Sequence, residues 1–432
     1  MTSLHSSQSF FSVLVHRVER VMLGPMRSDV RYNVWVETIA ALLFGIFWAV
    51  VVGFMPVILR KMGATESHLA IYVVFMSLGL LFTPVTAFIF QRYNIIKVST
   101  WIWVFGRSVF LLTPFVATNV NLFMVCLGIF WICETVPSPG YVRLLEQLYP
   151  DELRGRIMSF VRIGMTLMIL LMTPVAGWLL DQVSFVYILP AMSVIGWLAS
   201  AVFARLRTVA PVAPPPESPI ATTAHGSRPP LRHVIGEISR NRPFMVFLAL
   251  NVLFGCGTLI GSPLYAVVQV NRLEMNYTEV GYLNLVQSIT WLLGFFFWGR
   301  ITDRRGPIWV LVISMLCGAM LPFGFMVAQS AWWLVPAFIG QGLLLGGFDL
   351  GFTNTAIAIA DRKRLEIYFA AVHMVSGARG ILVPLLTPIL IAAHVTETAI
   401  FAVGGVLIVI SAGMAYWIRI PAPQEPHTQG TE

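Results

Sequence analysis

Twelve stretches of roughly twenty predominantly apolar residues run through this chain, each long enough to cross a bilayer as a helix at about 1.5 Å per residue. They lie near residues 34–59, 69–90, 98–116, 122–144, 157–180, 185–204, 244–270, 280–298, 308–327, 332–360, 367–392 and 399–418. Runs this long and continuous predict helices, because membrane strands show shorter segments that alternate in polarity. The composition agrees: 57% of residues are apolar and 11% are charged, whereas a water-facing surface usually needs about 25% charged residues. The expected class is an all-α membrane protein with twelve transmembrane helices, the lipid bilayer being its first partner.

The net charge of +8 could suggest nucleic acid, but the placement of the cations argues against it. Of the 28 Lys and Arg residues, only Arg60, Lys61 and Arg272 fall in odd-numbered connections, and Arg107, Arg162 and Arg379 lie inside predicted spans. The remainder sit in the terminal segments and the even-numbered connections. The positive-inside rule then places both termini in the cytoplasm, as expected of a bacterial inner (cell) membrane or a membrane derived from one. Cys126, Cys133, Cys256 and Cys317 all lie within spans and read as small apolar fillers, with no spacing that suits a metal. No cofactor is implied, and no cleavable signal peptide is expected ahead of the first span.

Residues 1–33 form an amino-terminal segment in which Phe10, Phe11, Leu14, Val18, Val21 and Met22 recur at helical spacing. That pattern, with Arg17 and Arg20 interspersed among the apolar positions, predicts a helix lying on the membrane surface. Residues 34–206 carry six spans and 243–419 carry six more. Between them, 207–242 is rich in proline and reads as a linker, and 420–432 is a tail. The halves also echo each other. Shifted by 210 positions, Arg154 falls on Arg364, Ile157 on Ile367 and Pro174 on Pro384; shifted by 212, Gln91 and Arg92 fall on Asp303 and Arg304.

The connection Gly299-Arg300-Ile301-Thr302-Asp303-Arg304-Arg305-Gly306 resembles the Gly-x-x-x-Asp-Arg-x-Gly signature of the major facilitator superfamily. Tyr149-Pro150-Asp151-Glu152-Leu153-Arg154-Gly155-Arg156 is similar to that family's Pro-x-Glu-x-Arg-Gly-Arg segment, and Asp361-Arg362-Lys363-Arg364 occupies the matching place in the second half. The resemblance covers residues 34–418 and implies two six-helix pseudo-repeats with a solute site near the midplane between them. It also implies a conformational latch built from Gly299, Asp303, Arg304, Gly306, Arg154 and Arg364. Gly299 would allow close helix approach, and Asp303, just past a helix end, would accept from a neighbouring helix's amino terminus. The first-half copy departs from the signature, with Gln91 where the family has Asp. Thr173-Pro174-Val175-Ala176-Gly177-Trp178 only partly resembles the pattern of drug–proton exporters.

A charge in the hydrocarbon region costs about 2.5–3.5 kcal/mol on insertion scales, so each one needs a partner, water or a task. The deep ones are Arg107, Glu134, Asp349 and Arg379. Asp349 lies about 18 Å along its helix from Asp361 and Arg379 about 20 Å from Glu366, depths that allow an Asp349–Arg379 ion pair, and in the first half the placement of Arg107 and Glu134 allows a second pair. Glu134 precedes Thr135-Val136-Pro137-Ser138-Pro139-Gly140, whose prolines expose backbone polar groups. Asp349 is followed at helical spacing by Thr353, with Asn354 beside it, a stripe suited to a water-filled path. Glu134 and Asp349 are therefore the candidate proton or substrate groups, with static bracing as the competing role for the arginines. The seventh span adds Asn251, Gln269 and a Ser262-Pro263 break. Glu37 and Arg162 lie near the inner ends and read as snorkelling or pairing with loops. His373, Met374, Met165, Met168 and Met172 read as core filler, and Phe295–Trp298 with Trp332 and Trp333 as interfacial belts.

The expectation is a secondary transporter of a small molecule or ion, working by alternating access and coupled to protons. Import and export suit these residues equally, as do drugs, sugars, organic acids, peptides and metal complexes, and nothing calls for more than a monomer. The alternative is a non-transporting membrane scaffold or sensor that keeps the fold. An enzyme is not expected, because no His-x-x-x-His helix, Gly-x-Ser-x-Gly elbow or phosphate loop is present.

Overall fold

A computed structural model describes residues 26–78, 93–208, 240–359 and 365–418. Its helices are α1 (Ser28–Lys61), α2 (Glu66–Leu78), α3 (Ile95–Val116), α4 (Val120–Thr135), α5 (Ser138–Leu148), α6 (Asp151–Gln182) and α7 (Phe185–Phe203). They continue with α8 (Arg242–Arg272), α9 (Tyr277–Arg305), α10 (Pro307–Val327), α11 (Ala331–Ile359), α12 (Leu365–Ala392) and α13 (Glu397–Tyr416). Ten helices among the described residues are long and apolar enough to span a membrane, and α2 and α4 are shorter apolar helices. Each predicted run contains a helix among the described residues, the second only over its first part, to Leu78. The fourth is split into α4 and α5 at Val136–Pro137, because a proline removes one backbone donor and crowds the preceding turn. The amino-terminal helix, the linker core and Arg364 lie outside the described residues.

Local chemistry sets the ends. Asn94, Asn119, Asn241 and Thr396 each cap a helix by accepting from a backbone N–H two or three residues inside it. Pro56, Pro174, Pro190, Pro322, Pro384 and Pro388 sit within long helices, which membrane spans tolerate where neighbouring groups re-satisfy the backbone.

The chain divides into two compact units. The first comprises Met1–His68, Phe75–Gly226 and Asn276–Leu285; the second comprises Leu69–Val74, Ser227–Met275 and Val286–Glu432. In the first, α1 packs on α6 and α7, while α3 packs on α4 and α7. In the second, α8 packs on α12 and α13, while α10 packs on α11 and α13. Counted by span, these are the same pairings six spans apart, which is how a repeat looks in packing. Buried Val34, Leu144, Leu148, Tyr149, Ile157 and Phe203 anchor one core, and Phe244, Phe247, Leu311, Met315 and Ile408 anchor the other.

Candidate functional site

In the first unit the site begins with a close crossing of α3 and α4. A Cβ on Gly106 would stand 2.3 Å from the Cβ of Cys133, so only glycine permits this approach, as small residues do in membrane interfaces. The next residue on each helix is Arg107 and Glu134, and the crossing sets them face to face. Arg107 Nη2 lies 2.8 Å from Glu134 Oε1 and its Nε donates to Oε2 at 3.2 Å, a two-pronged ion pair. The side chains are 4% and 9% exposed.

The guanidinium is bound on other sides as well. Its Nη1 donates to the Gly196 carbonyl and the Ser200 hydroxyl of α7, both at 2.9 Å, while the Ser193 hydroxyl donates to the Arg107 carbonyl at 2.7 Å. Phe44 and Phe47 of α1 present their rings 4.9 and 5.3 Å from it, within cation–π range. A Cβ on Gly196 would come within 2.8 Å of Arg107 Cδ, so this glycine makes the slot the arginine fills. The result is a desolvated charge pair between α3 and α4, tied to two further helices, α1 and α7.

The second unit treats its deep charges differently. Arg379 of α12 does not meet Asp349. Its Nη1 donates to both the backbone carbonyl and the side-chain oxygen of Asn251 on α8, the latter at 2.8 Å, and Asn251 in turn donates to Ser376. Gly255 leaves the room, since a Cβ there would overlap the guanidinium. Asp349 is exposed on α11 and forms no ion pair or hydrogen bond among the described residues. The Asp349–Arg379 pair that depth allowed is thereby corrected: equal depth along two helices says nothing about rotation around them. Thr353 and Asn354 are exposed beside Asp349, so the three form one polar surface stripe.

The latch residues fall as follows. Asp303 and Arg304 lie in the last turn of α9 and are exposed, so Asp303 is inside the helix rather than beyond its end. No described atom lies within 4 Å of where a Gly299 Cβ would stand, which removes the close approach expected of it. Gly306 turns the chain from α9 into α10 with φ 86° and ψ 168°, a conformation essentially restricted to glycine. Arg154 Nη2 donates to the Tyr149 carbonyl at 3.4 Å.

Other expectations change too. Of the two roles open to Glu37, snorkelling falls away because it is buried, and pairing stands: its carboxylate accepts from the phenols of Tyr141 and of Tyr149, the latter in the connection after the fourth predicted span. Trp298 is buried, donating to the Leu343 carbonyl at 3.0 Å, while Phe296, Phe297, Trp332 and Trp333 are exposed. Met374 is 74% exposed, and His373 is exposed with it, so neither is core filler. Among the described residues no cluster of His, Cys, Asp or Glu could hold a metal ion.

Residue reasoning overlooked Asp181, at the end of α6. Its carboxylate accepts from the backbone N–H groups of Tyr277 and Thr278 at 2.9 and 2.8 Å and from the Thr278 hydroxyl at 2.6 Å. It therefore sits on the positive amino terminus of α9. A Cβ on Gly177 would stand 2.5 Å from the Tyr277 carbonyl, and Lys61 Nζ lies 3.8 Å from the Tyr277 ring centroid. The signal in the sequence was an acid directly at a span end, which is too common to single out.

The family model described as the Major Facilitator Superfamily matches residues 38–271 and 263–432, nearly the whole chain. The chain belongs to the Major Facilitator Superfamily. It is thus a multi-pass membrane transporter of small solutes and not an enzyme. Solved superfamily structures share its fold. A point mutant of the nucleoside transporter NupG aligns with a TM-score of 0.65 and 12% identity over 89% of this chain and 98% of that one. A D-xylose–proton symporter aligns at 0.63 with 15% identity, over 91% and 98%. A bacterial homologue of the human lysosomal transporter Spinster, in an inward-facing and unoccupied conformation, aligns at 0.57 with 12% identity, over 91% and 95%. At these identities the likeness is one of fold. No curated protein sequence matches the chain at a significant level.

Proposed function

We propose that this superfamily member is a secondary active transporter that moves a small solute by alternating access and couples that movement to protons. The observation that carries the reading is Asp349, an acid near the middle of a spanning helix, exposed and without a cation among the described residues. An ionised carboxylate is compatible with a span only where water reaches it, and in apolar surroundings it must carry a proton. Alternation between those two conditions is what proton coupling requires. Thr353 and Asn354 extend the polar path. Glu134 is the second proton site, and its protonation would release Arg107 from its ion pair; Arg379 holds α12 to α8 while the solute is bound.

The two six-helix halves, joined by residues 207–242, would move about this site with both termini in the cytoplasm. The exposed end of α9, with Asp303, Arg304 and the Gly306 turn, together with Arg154 and Arg364, serves as the latch.

The test is solute uptake and internal pH in proteoliposomes carrying an imposed proton gradient. Accumulation against a solute gradient is expected in the wild type. Asp349→Asn and Glu134→Gln should abolish it, with folded protein retained. Accumulation unchanged in both variants would falsify the proton assignment. Downhill flux without accumulation would indicate an uncoupled facilitator, and no flux of any solute would favour a scaffold.

A further inference from the structure

The second unit contains a cavity of about 270 Å³ bounded by α8, α9, α10, α11 and α13. Twelve residues line it, none of them Asp, Glu, Lys, Arg or His. Three are glutamines, each from a different helix: Gln269 of α8, Gln287 of α9 and Gln341 of α11. Among the described residues none of the three side-chain amides hydrogen-bonds to protein, although Gln269 is only 7% exposed. By contrast, the hydroxyls of Thr258 and Ser262 in the same wall are satisfied by carbonyls of their own helix, at 3.2 and 2.7 Å.

Each glutamine offers donors and acceptors together, and an amide taken from water with nothing to bond is costly. Three such amides converging on one space fit an occupant that can both donate and accept. Water alone could fill it, at about nine molecules of roughly 30 Å³ each. The rest of the wall suits something larger than water. Tyr265, Phe325 and Phe338 supply an apolar aromatic surface, and Tyr265 is held in place by stacking on Phe401 at 5.5 Å and by Phe325 at 4.5 Å. Gln269 itself lies in a single π-helical turn, Val268–Arg272, an irregularity that recurs at functional sites. A largely apolar pocket with a few convergent polar groups is the usual form of a small-molecule site.

We infer that this cavity binds a small uncharged solute bearing several hydroxyl or amide groups, recognised by Gln269, Gln287 and Gln341 against the aromatic wall. The absence of formal charge in the lining selects against ions, because a buried ion without a counter-charge is heavily penalised. The site is distinct from Asp349, Arg379 and the first unit's ion pair, and it does not depend on proton coupling.

The experiment uses the full-length protein in nanodiscs, with thermal shift and calorimetry. The probes are glucose, myo-inositol, uridine and nicotinamide, and their charged counterparts are gluconate, glucosamine and nicotinate, each up to about 10 mM, enough to register millimolar affinity. At least one uncharged probe is expected to bind, with its charged counterpart failing to. Gln269→Leu and Gln341→Leu should each weaken that binding about tenfold or more, a loss of about 1.4 kcal/mol. Their melting temperatures without probe should stay at or above that of the wild type, because leucine replaces an amide with no protein partner. Binding that is unaltered in both variants, preference for a charged probe, or no uncharged probe bound would overturn the inference and leave a water-filled cavity. A fall in melting temperature on either substitution would overturn it too, by showing the amides to be structural.

Discussion

The phenol of Tyr149, in the bend between α5 and α6, donates to the carboxylate of Glu37, which is buried in the first third of α1. Tyr141 donates to the other carboxylate oxygen. Removing one phenol as Tyr149→Phe should cost about 1–3 kcal/mol, because a buried acceptor loses a partner. A double-mutant cycle with Glu37→Gln should then give a coupling of about 0.5 kcal/mol or more, read from thermal melting in detergent. Burial first, and the Glu37 charge second, push the Tyr149 phenol above its usual value. Its contribution is therefore complete below its ordinary pKa of about 10 and is lost progressively as pH rises from there through the raised one. Spectral titration should show the same number of phenols ionising near pH 10 in the wild type and in Tyr149→Phe, because the ring removed does not titrate there; one fewer in the variant would refute the shift.

Gly106 controls the other deep contact of that unit. Gly106→Ala places a methyl into Cys133 and should cost about 1–3 kcal/mol by forcing α3 from α4. Cys133→Gly in the same chain should recover most of the loss. Failure of that rescue would mean the crossing is not set by this pair.

Arg107→Met should destabilise by about 3–5 kcal/mol, because it leaves Glu134 buried without its cation. Combining it with Glu134→Gln should cost clearly less than Arg107→Met alone. Arg107→Lys should not restore stability fully, since an ammonium cannot bond Glu134 twice and reach Gly196 and Ser200 at once. If the double variant is as unstable as the single, the pair is not what holds these helices.

These contacts show what was legible from the chain. Span position follows from run length alone, which is why each apolar run contains a helix among the described residues, ten of them long enough to span. Arg107 and Glu134 could be paired from sequence because two opposite charges in adjacent apolar runs have few alternatives. Asp349 and Arg379 satisfied the same condition of depth, yet their pairing also depends on helix rotation, and Gly255 together with Asn251 drew Arg379 toward α8 instead. For Glu37 the sequence left snorkelling and pairing with a connection both open, and its partners could not be named because they are uncharged phenols more than a hundred residues away, with a separation of 104 for Tyr141. Of the three cavity glutamines the sequence singles out Gln269 alone, because nothing in three separate spans shows that their amides converge on one space.

Gly306 separates a turn from a latch. Gly306→Ala must hold an L side chain at φ 86° and ψ 168°, which costs about 1–3 kcal/mol. Asp303→Asn, at an exposed position, should change stability by no more than about 0.5 kcal/mol. If Asp303 acts in a latch, that nearly silent substitution will still alter the transport rate in proteoliposomes. An unchanged rate would reduce the motif to a tight turn.

Asp181 offers the sharpest local test, because the first turns of α9, Asn276–Leu285, belong to the first unit and this carboxylate holds their leading end. The charge meets two backbone N–H groups and one hydroxyl, a combination that a helix amino terminus favours by about 0.3–2 kcal/mol and that charge-assisted bonding strengthens. Asp181→Asn keeps the shape but loses the charge, and its amide nitrogen cannot accept. Hydrogen exchange across residues 276–285 should therefore accelerate several-fold, while exchange in the rest of α9 stays unchanged. Thr278→Val removes only the hydroxyl contact and should have a smaller effect, with both N–H bonds retained. If Asp181→Asn leaves the exchange of these turns unaltered, the helix terminus is held by the Tyr277 contacts with Phe54 and Lys61 instead.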